Sequence, residues 1–361
     1  MQQRILITLP HPSFHGGVGN IYRVLQLNQY SWIEYFYNTQ AKRSANPVFF
    51  VGMLFRFAFR IRRTDVVHIN PSLNPKAVVR DGVLLWIAKL FGKRTVVFFH
   101  GWEDQFEDRI NKNPFYRRLF RYVYNKGDIY LLLGNYFSEK IHGLGIRAKS
   151  IHHLPTVAEL PEGYSTIHSS LRKSKTVRLL FMGGFVPSKG MDIVLRTLQR
   201  LNEVSHDYHF ELTMAGDGPE LQNCKLYTIE NELHNVQFAG YVSGKAKHDC
   251  LQNADILFLP SRTEGLPCVI MEAMLYGLAI VTTPVGAIPD WVKPYKNGWL
   301  SDSVEPDAFA MGILSLLAEP GLMEKIRTTN RETAEKNFTP EIVKSQLIHI
   351  YKNLLNDEKE S

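Results

Sequence analysis

Short apolar runs alternate with helix-like segments along the chain, and this alternation constrains the fold more than any other feature. Because parallel strands are joined through helices that cover both faces of the sheet, such strands are apolar throughout. The pattern therefore predicts an α/β fold built of parallel sheets. The predicted strands lie within 4–10, 65–70, 94–101 and 128–135 in the first half, and 177–184, 209–220, 236–243, 254–261 and 278–286 in the second.

The length of 361 residues predicts two domains, since one ordinary core does not grow to that size. A polar, Ser-rich and basic segment at 164–176 interrupts the alternation and is predicted to be a linker. It separates an N-terminal domain at 1–163 from a C-terminal domain at 177–335. The last segment, 336–361, contains an amphipathic helix at 339–355, which we expect to pack back toward the N-terminal domain.

The charge is divided unevenly between the halves. Residues 1–150 carry 22 Lys and Arg against 9 Asp and Glu, a net charge of +13, whereas the rest carries 20 against 26, a net charge of −6; together these give +7. A basic half predicts an anionic partner, which can be a nucleic acid, a membrane surface or a phosphate-bearing substrate.

The cysteines and the start of the chain indicate a cytoplasmic location. Three scattered cysteines, Cys224, Cys250 and Cys268, suggest neither a disulfide framework nor a metal site. The chain starts with a short polar stretch and a strand-like run, without the apolar core of a secretory signal. We expect a reducing compartment and no bound metal.

Two glutamates in "SRTEGLPCVIMEAM", Glu264 and Glu272, surround the start of a predicted helix. Pro267 suits the first helical position, and a helix N-terminus favours an anion such as a diphosphate. A carboxylate can accept two hydroxyl hydrogen bonds, which suits a sugar or a ribose diol. The alternative is that Glu264 is an acid near the helix cap and Glu272 a solvated helix residue.

A group of motifs in the second half resembles the retaining glycosyltransferases of family 4, which have the GT-B fold. The matching segments are "FMGGFVPSKGMDIVL", "MAGDGPE", "FAGYVS" and "PSRTEGLPCVIMEAMLYGLAIVTTPVGAIPD". The resemblance is strong over roughly 175–295 and weaker over the N-terminal half. It implies two Rossmann-like, doubly wound domains that face each other across a cleft. The domain at 1–163 is then expected to bind the acceptor, and the domain at 177–335 the nucleotide sugar.

The resemblance also implies roles for individual side chains. Glu264 would bind hydroxyls of the transferred sugar, and Glu272 would hold the nucleotide ribose. Lys189, in "PSKG", would neutralise the diphosphate, a role that suits a flexible ammonium. Many relatives have an arginine where this chain has Gly184, so one cation of the family site is missing here.

Backbone groups complete the implied site. In the second half, Gly265, Leu266, Pro267 and Cys268 would line the sugar and diphosphate, while Gly240, Tyr241 and Val242 would form the wall of the nucleobase site. The loop at Gly286 and Ala287 is interpreted as scaffold.

In the first half, Gly16 and Gly17 in "HPSFHGGVGN" match the family's first glycine loop, which faces the donor. Glycines there let backbone approach a ligand and permit positive φ. Their spacing differs from the dinucleotide fingerprint, which excludes an NAD-dependent dehydrogenase. His100 follows a predicted strand, and the resemblance implies that it contacts the donor sugar near the reacting carbon. The neighbouring His11 and His15 are interpreted as loop structure.

Two segments interleave aromatic and basic residues, 49–63 and 113–127. Such faces suit peripheral contact with an anionic membrane, and neither run is long or apolar enough to span a bilayer. A core with a solvated basic edge is the alternative. Nucleic acid is the rival partner, but no nucleic-acid-binding module is visible, so none is expected.

These observations predict a cytoplasmic retaining glycosyltransferase, peripheral at the inner face of the cytoplasmic membrane. It would move a sugar from a nucleotide-sugar donor to a glycan or lipid-linked acceptor in lipopolysaccharide, capsule or exopolysaccharide biosynthesis. No Asp-x-Asp metal site is evident, so neither a metal nor another cofactor is expected. The alternatives are a non-catalytic GT-B protein that binds nucleotide sugars or glycans, and a GT-B epimerase or phosphorylase.

Overall fold

The computed structural model describes residues 3–13, 16–40, 47–161 and 175–356. The chain forms two compact units: Met1–Val157 together with Pro340–Ser361, and Ala158–Thr339. Most of the segment predicted to be a linker, 164–176, lies outside the described residues, as does His15. The second unit begins a few residues before the predicted domain boundary at 163, and the final segment belongs to the first unit.

The first unit is built on parallel strands. Its strands are β1 (Ile5–Leu9), β2 (Ile33–Tyr37), β3 (Val66–Ile69), β4 (Ser72–Leu73), β5 (Arg94–Phe99), β6 (Gly101–Trp102), β7 (Ile129–Leu132) and β8 (Ser150–His153). In the part of the chain that is described, six of them form one sheet in the order β2-β1-β3-β5-β7-β8, and β4 pairs with β6. All of these pairings are parallel.

Helices cover this sheet. They are α1 (Gly17–Leu25), α2 (Pro47–Arg60), α3 (Pro75–Leu90), α4 (Asp104–Lys112), α5 (Pro114–Tyr124) and α6 (Asn135–Gly143), and α14 (Pro340–Asn356) joins them from the end of the chain. Helix α3 packs against both α2 and α5, and α14 packs against α1. The buried residues of α14 recur every three or four positions, which is the amphipathic pattern expected from the sequence.

The second unit repeats the architecture. Its strands are β9 (Thr176–Met182), β10 (His209–Ala215), β11 (Val236–Gly240), β12 (Ile256–Leu259), β13 (Ala279–Thr282) and β14 (Gly298–Leu300), in the parallel order β11-β10-β9-β12-β13-β14. Its helices are α7 (Met191–Val204), α8 (Leu221–Glu230), α9 (Gly244–Asn253), α10 (Cys268–Leu275), α11 (Ile288–Trp291), α12 (Pro306–Ala318) and α13 (Leu322–Asn337). Across the described ranges of both units, no helix is long and apolar enough to cross a membrane.

Each sheet has a point where the direction of strand addition reverses. In the first unit this point lies between β1 and β3, and in the second between β9 and β12. Ligands of open α/β sheets bind outside the carboxyl ends of the strands at such points. The segments that follow these four strands are therefore where candidate site residues belong.

Candidate functional site

An ion pair joins the segments that follow the two central strands of the second unit. Lys189 ends a 3-10 turn, Pro187–Lys189, after β9, and Glu264 lies in the loop after β12. Nζ of Lys189 lies 2.5 Å from Oε1 of Glu264, whose side chain is only 8% exposed. The fold thus brings together two predicted site residues that are far apart in sequence.

Backbone and side-chain contacts hold the turn that carries Lys189. Gly190 follows it with φ +73°, and a Cβ there would collide with the carbonyl oxygen of Pro260. The amide of Arg262 donates to the carbonyl of Ser188 at 2.7 Å, and its guanidinium binds Asp192 at 3.0 Å. The Arg262 cation is therefore engaged in fixing this turn.

The loop after β13 supports the backbone of Glu264. Gly286 has φ +60°, and a Cβ at this position would collide with the carbonyl oxygens of Glu264 and Gly265. The amide of Ala287 donates to the Gly265 carbonyl at 2.8 Å. This loop therefore sets where the Glu264 backbone lies.

Helix α10 begins at Cys268, one residue later than predicted. Pro267 is the N-cap rather than the first helical residue, because its ψ of 126° is extended although its φ of −66° suits a helix. The predicted position of Pro267 is therefore wrong by one residue. Leu266 is buried ahead of the cap, and the positive end of the helix dipole lies just beyond Gly265 in the chain.

Glu272 is buried in the second turn of α10, with 3% of its surface exposed. Nζ of Lys247, on α9, lies 3.0 Å from Oε1 of Glu272 and also binds the Glu159 carboxylate. The amide of Glu159 donates to the same Oε1 at 3.4 Å. The alternative of a solvated helix residue is excluded for Glu272, and sequence reasoning missed both of its partners.

Burial and neighbouring charges have opposite effects on the pKa values of Glu272 and Lys247. Burial raises the pKa of Glu272 above its ordinary value, and the nearby Lys247 ammonium opposes that rise. Burial alone would lower the pKa of Lys247, but the Glu272 and Glu159 carboxylates outweigh it, so the net pKa is raised. Lys247 is therefore a cation shared by two acids. No motif marked it, because it is one of several polar residues on α9.

The remaining predicted residues of this unit lie at strand ends. Gly184 follows β9, where a Cβ would meet no atom within 4 Å. Gly240 ends β11, two strands from β9, and its carbonyl accepts from the amide of Gly216 at 2.7 Å. Tyr241 and Val242 follow, and Tyr241 is exposed.

The glycine loop of the first unit leads into α1. Gly16 is the N-cap with φ −149° and Gly17 is the first helical residue. Neither has a positive φ, so the left-handed conformation that glycine permits is not used at these two positions. A Cβ at either position would meet no atom within 4 Å, so the space beside both is open.

His100 follows β5, beside the strand end that carries Asn70. Nε2 of His100 lies 2.7 Å from Oδ1 of Asn70, and the ring lies 3.8 Å from that of Phe98, centre to centre. Burial lowers the pKa of His100 to about 3, with a further contribution from His68. His100 is therefore neutral at physiological pH.

In the ranges given above, no group of three or more His, Cys, Asp or Glu side chains is arranged to hold a metal ion.

Comparison with known proteins shows a family match over part of the chain. Residues 165–333 match the family described as "Glycosyl transferases group 1". An uncharacterized glycosyltransferase of Methanocaldococcus jannaschii is 27% identical over 157 residues, 44% of this chain and 43% of that protein. The amylovoran biosynthesis glycosyltransferase AmsK of Erwinia amylovora is 24% identical over 275 residues, 74% of this chain and 65% of AmsK. The matches thus span less than two thirds of both relatives.

A solved structure matches over nearly the whole chain. Anabaena HepE, solved in complex with UDP and glucose, has a TM-score of 0.73 and 14% identity, covering 97% of this chain and 100% of HepE. At that identity the likeness concerns the fold. The fold predicted from the sequence is thereby confirmed.

Proposed function

We propose that the chain, whose residues 165–333 match the group 1 glycosyltransferases and which has a GT-B fold, is a retaining enzyme of the family 4 type. It transfers a sugar from a nucleotide-sugar donor to a glycan or lipid-linked glycan. The observation that carries the proposal is the Lys189–Glu264 pair at the strand-order reversal of the second unit. The pair joins the Lys189 ammonium to the Glu264 carboxylate, which is mostly shielded from water. It lies beside the N-terminus of α10.

The pair suits the two ends of the bond that breaks. As the bond between sugar and diphosphate breaks, negative charge develops on the diphosphate, and Lys189 together with the N-terminus of α10 stabilises that charge. Glu264 accepts hydrogen bonds from hydroxyls of the transferred sugar. Both groups are already in place, so little reorganisation is needed when the charge develops.

Glu272 suits the ribose of the donor nucleotide. Its described contacts, from Lys247 and the Glu159 amide, both reach Oε1. The second carboxylate oxygen can therefore accept hydroxyl hydrogen bonds while the first is held. The relative HepE binds UDP, which makes UDP the first nucleotide to test.

The proposed retaining course requires no nucleophile from the enzyme. The diphosphate leaves and takes the acceptor's proton, while the acceptor oxygen bonds to the sugar carbon from the same face. Glu264 and Glu272 bind hydroxyls on this view, so neither serves as the nucleophile of a glycosidase. We also propose that no divalent metal is required, since Lys189 supplies the cation; unchanged activity in EDTA is the expected result.

We propose that the acceptor is reached at the inner face of the cytoplasmic membrane. Helices α2, α3 and α5 are neighbours and expose large apolar side chains: Val48, Val51, Phe55, Phe59, Val79, Trp86, Leu90, Phe115, Tyr116, Leu119 and Tyr122. The exposed Arg56 and Arg118 lie on α2 and α5, and Arg62 and Arg63 follow α2. Apolar and basic side chains on one surface suit an anionic bilayer. The AmsK relative supports a setting in surface polysaccharide biosynthesis.

Calorimetric titration with UDP, GDP, ADP and CMP, without metal, tests the donor site. We expect one nucleotide to bind wild type and to bind Lys189→Ala and Glu272→Gln at least about tenfold more weakly. Lys296→Ala and Glu230→Gln are matched controls, since both residues are exposed. Equal binding by all five proteins would contradict the assigned roles.

A second candidate is a non-catalytic GT-B protein, favoured by Gly184 in place of a family cation. Incubation of each candidate nucleotide sugar with the folded chain separates the two. Release of nucleotide, with product NMR showing the donor's anomeric configuration, supports the enzyme. Binding without turnover under all donors and acceptors supports the alternative, and conversion of the free nucleotide sugar to its epimer would indicate an epimerase.

A further inference from the structure

Two histidines, two tyrosines and an asparagine form one hydrogen-bonded chain inside the first unit. The chain connects Tyr351 on α14, His68 on β3, Tyr22 on α1, Asn70 after β3, and His100 after β5. His68 and Asn70 are two positions apart along a strand direction, so their side chains point to the same face of the sheet. Tyr22, His68 and Tyr351 are buried.

The amide of Asn70 has a determined orientation. Its Nδ2 donates to the carbonyl oxygen of Thr8 at 2.9 Å, and a carbonyl can only accept. Oδ1 therefore faces Oη of Tyr22 at 2.9 Å and Nε2 of His100 at 2.7 Å. Because an amide oxygen can only accept, both Tyr22 and His100 donate to it.

The orientation of the Asn70 amide then determines where the protons of Tyr22, His68 and Tyr351 lie. Tyr22 has a single hydroxyl proton, which goes to Asn70, so its oxygen accepts from Nε2 of His68 at 3.1 Å. Burial lowers the pKa of His68 to about 3, so its ring is neutral and Nδ1 carries no proton. Nδ1 of His68 therefore accepts from the hydroxyl of Tyr351 at 2.5 Å. One arrangement of protons satisfies every contact in the chain.

The same reasoning leaves one atom of His100 unpaired. The neutral ring carries its proton on Nε2, so Nδ1 presents a lone pair. That Nδ1 is buried and has no hydrogen-bond partner within the described residues. Since buried polar atoms in folded proteins are nearly always paired, this acceptor is free to take a hydrogen bond from a water molecule or from a ligand hydroxyl.

We propose that Asn70 is the positioning residue that holds His100 with its proton on Nε2, so that Nδ1 accepts a hydrogen bond from a substrate hydroxyl. The inference rests on the proposed function, which supplies a sugar hydroxyl as the donor. The carbonyl of Thr8 and the hydroxyl of Tyr22 fix the Asn70 amide, and His68 and Tyr351 complete the far end of the chain.

NMR of ¹⁵N-labelled histidine rings in the full chain, without substrate, tests the proton order directly. His68→Gln and His100→Gln assign the two signals. We expect both rings to be neutral with the proton on Nε2. Asn70→Ala removes the acceptor that holds the proton of His100 on Nε2, so the His100 signal should move toward the other tautomer. Tyr124→Phe is the control, because that buried hydroxyl donates to the Val78 carbonyl outside the chain of contacts. A protonated Nδ1 on His100 in wild type, or an unmoved His100 signal in Asn70→Ala, would overturn the inference.

Kinetics supply an independent readout. Asn70→Ala should lower kcat/KM for the donor by about tenfold, as expected when the group that orients a functional histidine is removed, whereas Tyr124→Phe should stay within about twofold. Asn70→Asp places a carboxylate against His100, where Tyr22 and His68 are the other titratable neighbours. The pKa of His100 should rise, and activity should fall as pH drops through it, because protonated Nδ1 no longer accepts.

Different results would overturn the proposed function and the proposed proton order. The expected tautomers without donor turnover would overturn the proposed function and leave the proton order intact. Turnover with a proton on Nδ1 of His100 would overturn the inference and leave the function intact. If the Asn70 variants do not fold, the wild-type ring signals still decide, because a proton on Nδ1 of His100 overturns the inference.

Discussion

Nζ of Lys247 lies 3.0 Å from the buried Oε1 of Glu272, and the same ammonium binds the carboxylate of Glu159. The three residues come from the start of the second unit, from α9 and from α10. One cation thus fixes the acid that we assign to the ribose, and it does so from a helix that carries none of the family's recognised motifs. Removal of this cation has consequences for stability as well as for binding.

Lys247→Met should destabilise the chain by about 3 kcal/mol near neutral pH, since breaking a buried ion pair leaves an uncompensated charge. The loss should depend on pH. Without Lys247, burial raises the pKa of Glu272 further in the folded state, so the folded state binds more protons than the unfolded state. Stability then falls as pH rises above the unfolded pKa of Glu272, and is recovered on acidification.

Urea unfolding at about pH 5 and at about pH 8 measures this dependence. Lys245→Met is the matched control, because Lys245 is exposed on the same helix and pairs with Asp249 at the surface. Its effect should stay within about 0.5 kcal/mol at both pH values. An equal effect of the two variants would contradict the role of Lys247.

Gly286→Ala should cost about 3 kcal/mol and weaken sugar binding, because the added methyl collides with the carbonyls of Glu264 and Gly265 in a backbone of positive φ. Gly321→Ala is the control, because it measures the cost of backbone strain without a collision. Gly321 has φ +76° with no atom within 4 Å of its Cβ position, so about 1 kcal/mol is expected there. Thermal unfolding of both variants is the measurement, and equal losses would show that the Gly286 loop does not hold Glu264.

Gly184→Arg should strengthen binding of the nucleoside diphosphate by about fivefold, the effect of about 1 kcal/mol from an added, partly solvated cation. The structure allows this side chain, because Gly184 is exposed, lies outside the positive φ region and has open space at its Cβ. Gly184→Ala makes the same backbone change without the charge. The affinities of the two variants for the nucleoside diphosphate, measured by calorimetry, should differ. Identical affinities would place the diphosphate away from residue 184.

Phe55→Ser/Phe59→Ser should reduce flotation with anionic vesicles, because both side chains are more than 60% exposed on α2. Wild type should float with phosphatidylglycerol vesicles at low salt and less at high salt or with neutral lipid. Leu226→Ser/Ile229→Ser removes equally exposed apolar side chains from α8 of the second unit and should have no effect. Absence of wild-type binding at low salt would remove the membrane proposal.

Sequence pattern alone determined the central strands and the position of the motif that contains Glu264 and Glu272. Strands β9, β12 and β13 are buried along their whole length or nearly so, and their apolar runs were visible without any structure. Three of the four edge strands of the two six-stranded sheets, β2, β8 and β14, escaped prediction, whereas the fourth, β11, was predicted. An edge strand has a partner on one side only and mixes polar with apolar residues, which weakens its sequence pattern. Pro267 was placed one position too far into its helix, since proline sets φ but leaves ψ to the surrounding structure.

Only the tertiary structure decided which polar groups meet. The motif indicated Lys189 and Glu264 separately, but their contact depends on two strands becoming neighbours in the sheet. Lys247 and Tyr351 belong to no local pattern, and each acquires its role from a partner distant in the chain. Apolar periodicity reports burial along one segment, whereas a buried hydrogen bond needs two segments at a fixed distance. Such pairs are therefore determined by packing rather than by the pattern of either segment.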